Sequence, residues 1–159
     1  MTPPGLAAAA ALLIAVVGIP ATKIESAQNR PLDCYDVMVV ARPVEQIPIV
    51  APECPDCFIM RWPWFLDLQV SRVVDGSLDR KLVRVLSMQH TWFIPRQGRW
   101  PLRRNSAGGF NVPTNDDDKP LRRCPADAAL ARPYITPANG KTLDDLRGEG
   151  LARYGRAPH

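Results

Sequence analysis

Apolar residues recur along this chain at strand spacing far more often than at helical spacing. Residues 37–41 (VMVVA) form an apolar, β-branched run bounded by Asp36 and by Arg42-Pro43, the pattern of a strand covered on both faces. The stretch from 43 to 55 is broken by Pro43, Pro48, Pro52 and Pro55 and reads as a long loop with an edge segment at 47–50. Leu66-Asp-Leu-Gln-Val70 alternates strictly, then slips, with Ser71 and Arg72 standing before Val73 and Val74. A one-residue slip inside a good strand predicts a β-bulge, which lets a strand bend around a small barrel. Asp75-Gly76 supplies the turn, and residues 82–88 (LVRVLSM) supply the next strand. Residues 91–94 extend that strand or start another. Residues 99–102 and 110–112 are weaker strand candidates on either side of a flexible Asn105-Ser-Ala-Gly-Gly109.

Helical pattern is confined to the end of the chain. Residues 126–132, between Pro125 and Pro133, predict a short helix with proline at its start. Residues 142–154 predict a better one: Thr142 caps it, Asp144 and Asp145 fill the first turn, and Arg147 and Arg153 follow. Leu143, Leu146, Leu151 and Tyr154 give it a partial apolar stripe, which Gly148 and Gly150 weaken by about 1 kcal/mol each relative to alanine.

The first residues change what chemistry is available to the rest. Residues 6–19 (LAAAAALLIAVVGI) carry no charge. The run is shorter than the roughly twenty residues of a membrane span and has the length of a secretory signal's apolar region. Pro20, Ala21 and Thr22 follow, with cleavage expected after Ala21 or Ala27. No Lys or Arg precedes the run, and an uncleaved anchor or a buried helix competes with this reading. Residues 1–27 are therefore expected to direct a periplasmic or secreted protein without a stable membrane span after cleavage. About 130 residues remain, enough for one domain around one core. Proline, at 17 of 159 residues, argues against long helices in the middle of the chain.

In an exported domain the four cysteines, Cys34, Cys54, Cys57 and Cys124, read as two disulfides. The favoured pairing is Cys34 with Cys124 and Cys54 with Cys57; the crossed pairings stay open. Two alternatives use the same residues. Cys54-Pro-Asp-Cys57 could be a redox motif, although such motifs start helices and Phe58-Ile-Met-Arg-Trp-Pro63 looks extended. A zinc site could combine Cys54, Cys57 and Cys124 with His90, at the cost of thiols an oxidising compartment would consume.

The residues Cys34, 37–41, Leu68-Gln-Val-Ser-Arg-Val73, Gly76 and 82–86 together resemble the netrin-module and metalloproteinase-inhibitor type of OB barrel. The resemblance implies a mainly β fold: a small OB-like five-stranded barrel over residues 28–125, with a C-terminal extension over 126–159 containing a short helix. It does not extend to inhibition, which in that family uses an N-terminal cysteine; Cys34 follows several residues even after cleavage at Ala27.

Between Arg80 and Arg104 lie seven basic residues and no acid, interleaved with Trp92, Phe93 and Trp100. Arg84, Trp92, Arg96, Arg99, Trp100, Arg103 and Arg104 are the candidate binding residues, since cations with aromatic platforms grip polyanions. Nucleic acid is not expected outside the cytoplasm, which leaves an anionic glycan, a lipid surface or an acidic protein. The competing reading is a solvated strand face with the tryptophans in the core. Asn115-Asp-Asp-Asp118 lacks calcium-loop spacing and reads as a turn, and Trp62-Pro-Trp64 reads as packing over the barrel end. The sequence points to a binding module without catalytic residues, metal or cofactor. The competitors are an enzyme built on Cys54, Cys57 and His90, and an envelope structural protein.

Overall fold

The computed structural model describes residues 34–51, 60–114 and 120–156. Residues 1–27, Cys54, Cys57 and the Asn115–Asp118 segment lie outside them. The chain runs β1 (Cys34–Tyr35), β2 (Val37–Pro48), β3 (Trp62–Asp75), β4 (Leu82–Gln89), β5 (Gly98–Arg104), β6 (Phe110–Asn111), β7 (Arg122–Arg123) and α1 (Leu143–Tyr154). Five strands close a barrel in the order β2-β3-β4-β6-β5, with β4 and β6 parallel and the other pairs antiparallel. This is the OB arrangement, as the strand pattern implies. Among the described residues no helix is long and apolar enough to cross a membrane.

The barrel closes because β3 bends. Val40 pairs with Arg72 while Ala41 pairs with Val70, leaving Ser71 as the extra residue of a bulge. The expected slip therefore exists, and a second shift leaves Val74 without an opposing residue. Val70 and Val73 both pack against the interior cluster of Val39, Leu66, Leu68, Val85 and Leu102, while Arg72 is exposed. At Gly76 the chain turns with φ 83°, and a Cβ there would lie 2.5 Å from the Asp36 carbonyl oxygen.

Three expectations are corrected. The first part of the proline-rich stretch, 43–48, is not a loop: β2 continues through Pro43 to Pro48, with a bulge at Val44 accommodating a residue that cannot donate to the ladder. Residues 91–94 are not a strand but part of the connection between β4 and β5. Residues 126–132 are not a helix, since their backbone groups serve the barrel instead. Ala131 N–H donates to Arg104 O at 3.0 Å, and Ala131 O accepts from Ser106 N–H at 2.9 Å. The turn at 105–109 is organised by Asn105, whose Oδ1 accepts from the N–H groups of Ala107 and Gly109.

A second core lies outside the barrel. Ile47, Phe65 and Leu86 are register partners on β2, β3 and β4 and form, with Ile49, a cluster separate from the interior one. Leu143, Leu146 and Leu151 of α1 cover it together with Tyr134 and Ile135; Tyr154 stays exposed. Thr142 caps α1 as expected, accepting from Asp145 N–H while Asp145 accepts from Thr142 N–H. The Thr142 N–H, and then the Thr142 hydroxyl, donate to the Asp145 carboxylate and hold it below its usual pKa. Its capping contribution is thus present above the ordinary carboxylate range and lost as pH falls through the lowered value.

The Cys34–Cys124 disulfide, with Cα atoms 5.0 Å apart and 90 positions between them in sequence, fastens β1 beside β7. By constraining the unfolded chain it should contribute on the order of 4 kcal/mol. The Cys34→Ala/Cys124→Ala variant is expected to lose about that much in denaturant unfolding. The two helix glycines should respond with opposite signs. A Cβ on Gly148 meets nothing within 4 Å, so Gly148→Ala should stabilise by about 1 kcal/mol and raise the thermal midpoint by roughly 3–5 °C. A Cβ on Gly150 would sit 2.2 Å from the Pro48 carbonyl oxygen, so Gly150→Ala should destabilise by about 2 kcal/mol in spite of its better helix propensity.

Candidate anion-binding face

The fold sorts the arginines into two classes. Arg84, on the outer side of β4, donates to Asp67 at 3.0 Å and to Asp144 at 2.8 Å. Arg103 is buried and bonded to Asp36 at 2.7 Å and to the Ala129 carbonyl. Trp100 is buried in the barrel, with Nε1–H donating to Ala41 O at 3.0 Å. These three candidate residues are thus occupied in holding the fold. Arg104 gives its backbone N–H to Asp36 Oδ2 at 2.6 Å while the residue stays exposed at the far end of β5. Trp92, Arg96 and Arg99 are exposed. Cys124 is bonded to Cys34, which removes it from any zinc set with His90, itself exposed.

The exposed cations gather with two that the sequence did not single out. Val40 on β2 pairs with Arg72 of β3 on one side and Arg99 of β5 on the other, so both arginines lie in one row across three strands. Arg42 lies two residues along the same outer side of β2 and donates to Gln69 Oε1 at 3.1 Å. Among the described residues neither Arg72, Arg96 nor Arg99 makes an ion pair. Gln97 Nε2 donates to Ser71 Oγ at 2.6 Å, and that hydroxyl donates to Val40 O at 3.0 Å, which ties the chain beside Arg96 to the bulge beside Arg72. Arg72 was legible as a strand position, while Arg42 was read as the end of the first strand; neither was legible as a neighbour of Arg99, because that adjacency depends on barrel closure.

The opposite side of the barrel is partly covered by α1. OB barrels commonly bind on their second and third strands, and here α1 lies on that surface. Glu45, Asp67 and Arg84 form a cross-strand row beneath it. Arg147 reaches down from α1 to both Glu45 and Asp67, and Arg156 meets Glu45 at 2.5 Å. Side-chain exposures of 17%, 12% and 19% for Glu45, Asp67 and Arg147 make this a largely desolvated clamp. Burial, and then the charge of Arg156, hold the Arg147 pKa below its usual value, and its Nε is buried with no hydrogen-bond partner. Each carboxylate is engaged by a guanidinium, so the pair fastens the helix. A groove of about 610 Å³ remains between β4, the 105–109 turn and the start of α1; of its two arginines, Arg84 is committed to Asp67 and Asp144, and Arg80 lies 4.0 Å from Asp79. At the other end of β3, Tyr35 O–H donates to Asp75 at 3.0 Å; that bond, with burial and the Asp75 charge, pushes the phenol pKa up, opposed by Arg123.

Replacing Arg147 alone removes the cation that bridges two adjacent carboxylates, leaving Glu45 to Arg156 and Asp67 to Arg84. Arg147→Met is expected to lower the unfolding free energy by about 2 kcal/mol, and adding Glu45→Gln and Asp67→Asn should recover most of the loss. Denaturant titration of the single and triple variants measures both effects.

No protein-family model, curated protein or solved structure matches this chain.

Proposed function

We propose that the chain is an exported binding module that docks on a polyanion through the arginine face of its barrel. The observation that carries this reading is the contrast between arginines. Arg84, Arg103, Arg123, Arg147 and Arg156 each meet an acidic side chain, whereas Arg72 and Arg99 stand in one row with Arg42 beside it and have none among the described residues. Cations held on a rigid sheet at strand spacing suit a repeating anion better than a single charge, because several contacts form without ordering new backbone. The Cys34–Cys124 bridge supports export, since such bonds persist in oxidising compartments. The OB strand order supports the netrin-type resemblance as a description of the scaffold.

Heparin, a sulfated polyanion, tests the reading. The Arg42→Gln/Arg72→Gln/Arg99→Gln variant should elute at lower salt and bind on the order of 100-fold more weakly, at about 1 kcal/mol per arginine. The Arg122→Gln/Arg132→Gln/Arg153→Gln variant removes the same charge elsewhere and should shift little. Equal shifts in both variants, or a wild-type protein that is not retained, would overturn the proposal.

A further inference from the structure

The connection between β4 and β5 is exposed from His90 to Gln97, yet it is firmly anchored. Gln46, buried at the barrel end, accepts from Phe93 N–H at 2.7 Å and donates its amide to Phe93 O at 2.7 Å. The Phe93 ring stands edge-on to Trp100 with centroids 5.2 Å apart. Arg96 N–H donates to Ile94 O at 2.7 Å, tightening the turn around Pro95. Phe93 is therefore the fixed point. Its neighbours Trp92 and Ile94 are left 48% and 68% exposed. Large apolar groups held on a rigid loop and withheld from the core need a partner to cover them.

The arginine face begins where this loop ends. Arg96 lies within it, Arg99 is one residue into β5, and Arg42 lies one residue along β2 from Ala41, the register partner of Gly98. No acidic residue occurs between positions 80 and 104. The nearest carboxylate of β2, Glu45, is neutralised by Arg147 and Arg156. An indole and a branched aliphatic chain at a tip, with arginines set back along the adjoining wall, match the layering of a bilayer surface. Tryptophan favours the interface, aliphatic groups enter the acyl boundary, and cations meet anionic head groups. A soluble glycan satisfies the arginines and can stack on Trp92, but it offers nothing to Ile94, the most exposed large apolar side chain among the described residues.

We propose that the polyanion is the surface of an anionic lipid bilayer, and that Trp92 and Ile94 insert into its interface while Arg42, Arg72, Arg96 and Arg99 meet its head groups. The inference rests on the polyanion-binding reading and narrows its ligand. The loop enters as a preformed wedge, so binding orders no backbone, and the barrel's β2–β5 side comes to rest against the head groups.

The test uses the protein recovered from an exporting host, so that every variant shares one N-terminus. Partition is measured into phosphatidylglycerol–phosphatidylcholine vesicles and into phosphatidylcholine vesicles, alongside heparin elution. The wild type should favour the anionic vesicles. Trp92→Ser/Ile94→Ser should lose at least roughly tenfold in vesicle partition with heparin elution unchanged, and the arginine variant should lose both. Quenching by brominated lipid supplies a readout independent of variant folding. Tryptophan emission of the wild type should be quenched on anionic vesicles, and Trp92→Phe should remove the quenched component. Wild-type retention on heparin with no anionic-vesicle binding would sink the lipid inference and leave the polyanion reading standing. A Trp92/Ile94 variant that partitions normally, or that loses heparin as well, would also sink it, the latter by pointing to a soluble polyanion or a protein pocket. Failure on both heparin and vesicles would remove both proposals.

Discussion

Ser71 is the residue on which barrel closure and surface chemistry both turn. A strand of 14 residues that pairs with β2 along one edge and β4 along the other cannot stay flat and still let β6 reach back to β5. The extra residue at Ser71 bends β3 and shifts its pairing with β2 by one. The shift keeps Val70 and Val73 against the interior and leaves Arg72 outside, across Val40 from Arg99. Without the bulge, simple alternation would set Val70 and Arg72 on the same side of the strand, driving a guanidinium into an apolar interior. The geometry that closes the barrel therefore also creates the row of cations.

The opposite wall obeys a different constraint. Ile47, Phe65 and Leu86 face outward in one row, and an apolar row on the outside of a barrel must be covered. Helix α1 covers it, and its position explains two features of the chain's end. Gly150 is there because only a residue without a side chain lets the helix lie on the Pro48 carbonyl. Arg147 is there because Glu45 and Asp67, next along the same strands, would otherwise be two like charges under a helix. Covering this wall narrows the surface most used by OB barrels to the groove beside α1, while the β3-β2-β5 side carries the row of Arg72 and Arg99.

Much of this fold was legible because local pattern and tertiary role coincide. The alternation of 66–70, the slip at Ser71, the turn at Gly76 and the cap at Thr142 each have a one-dimensional signature, and each stands where its pattern puts it. What misled were signals that tertiary context overrides. Pro43 breaks a strand only if its missing N–H is needed, and the bulge at Val44 removes the need. Residues 126–132 have helical composition, but Arg103 and the end of β5 claim their carbonyls and amides. The candidate binding residues divided for the same reason. A stretch rich in arginine and tryptophan does not show which cations will find acids 17, 60 or 67 positions away along the chain, and those partners are what commit Arg84 and Arg103 to the fold.

The arginines left unpaired are informative because the chain has the means to pair arginines. Its acids are placed well enough to engage five guanidiniums on β4, β5, β7, α1 and the residue after α1's cap. None is placed beside Arg72 or Arg99, where an acid at position 40 would lie between both by register. Valine stands there instead. A half-buried aliphatic side chain on the outer face between two cations adds little to the barrel's stability, since a surface ion pair is itself worth only about 0–1 kcal/mol. It does leave the positive potential of the row undiminished, and it places a small apolar step between the cations, continuous in character with the Trp92–Ile94 tip. Fold stability alone gives no preference for that pattern over a paired one. A surface that must attract an anion and then lie close against it does.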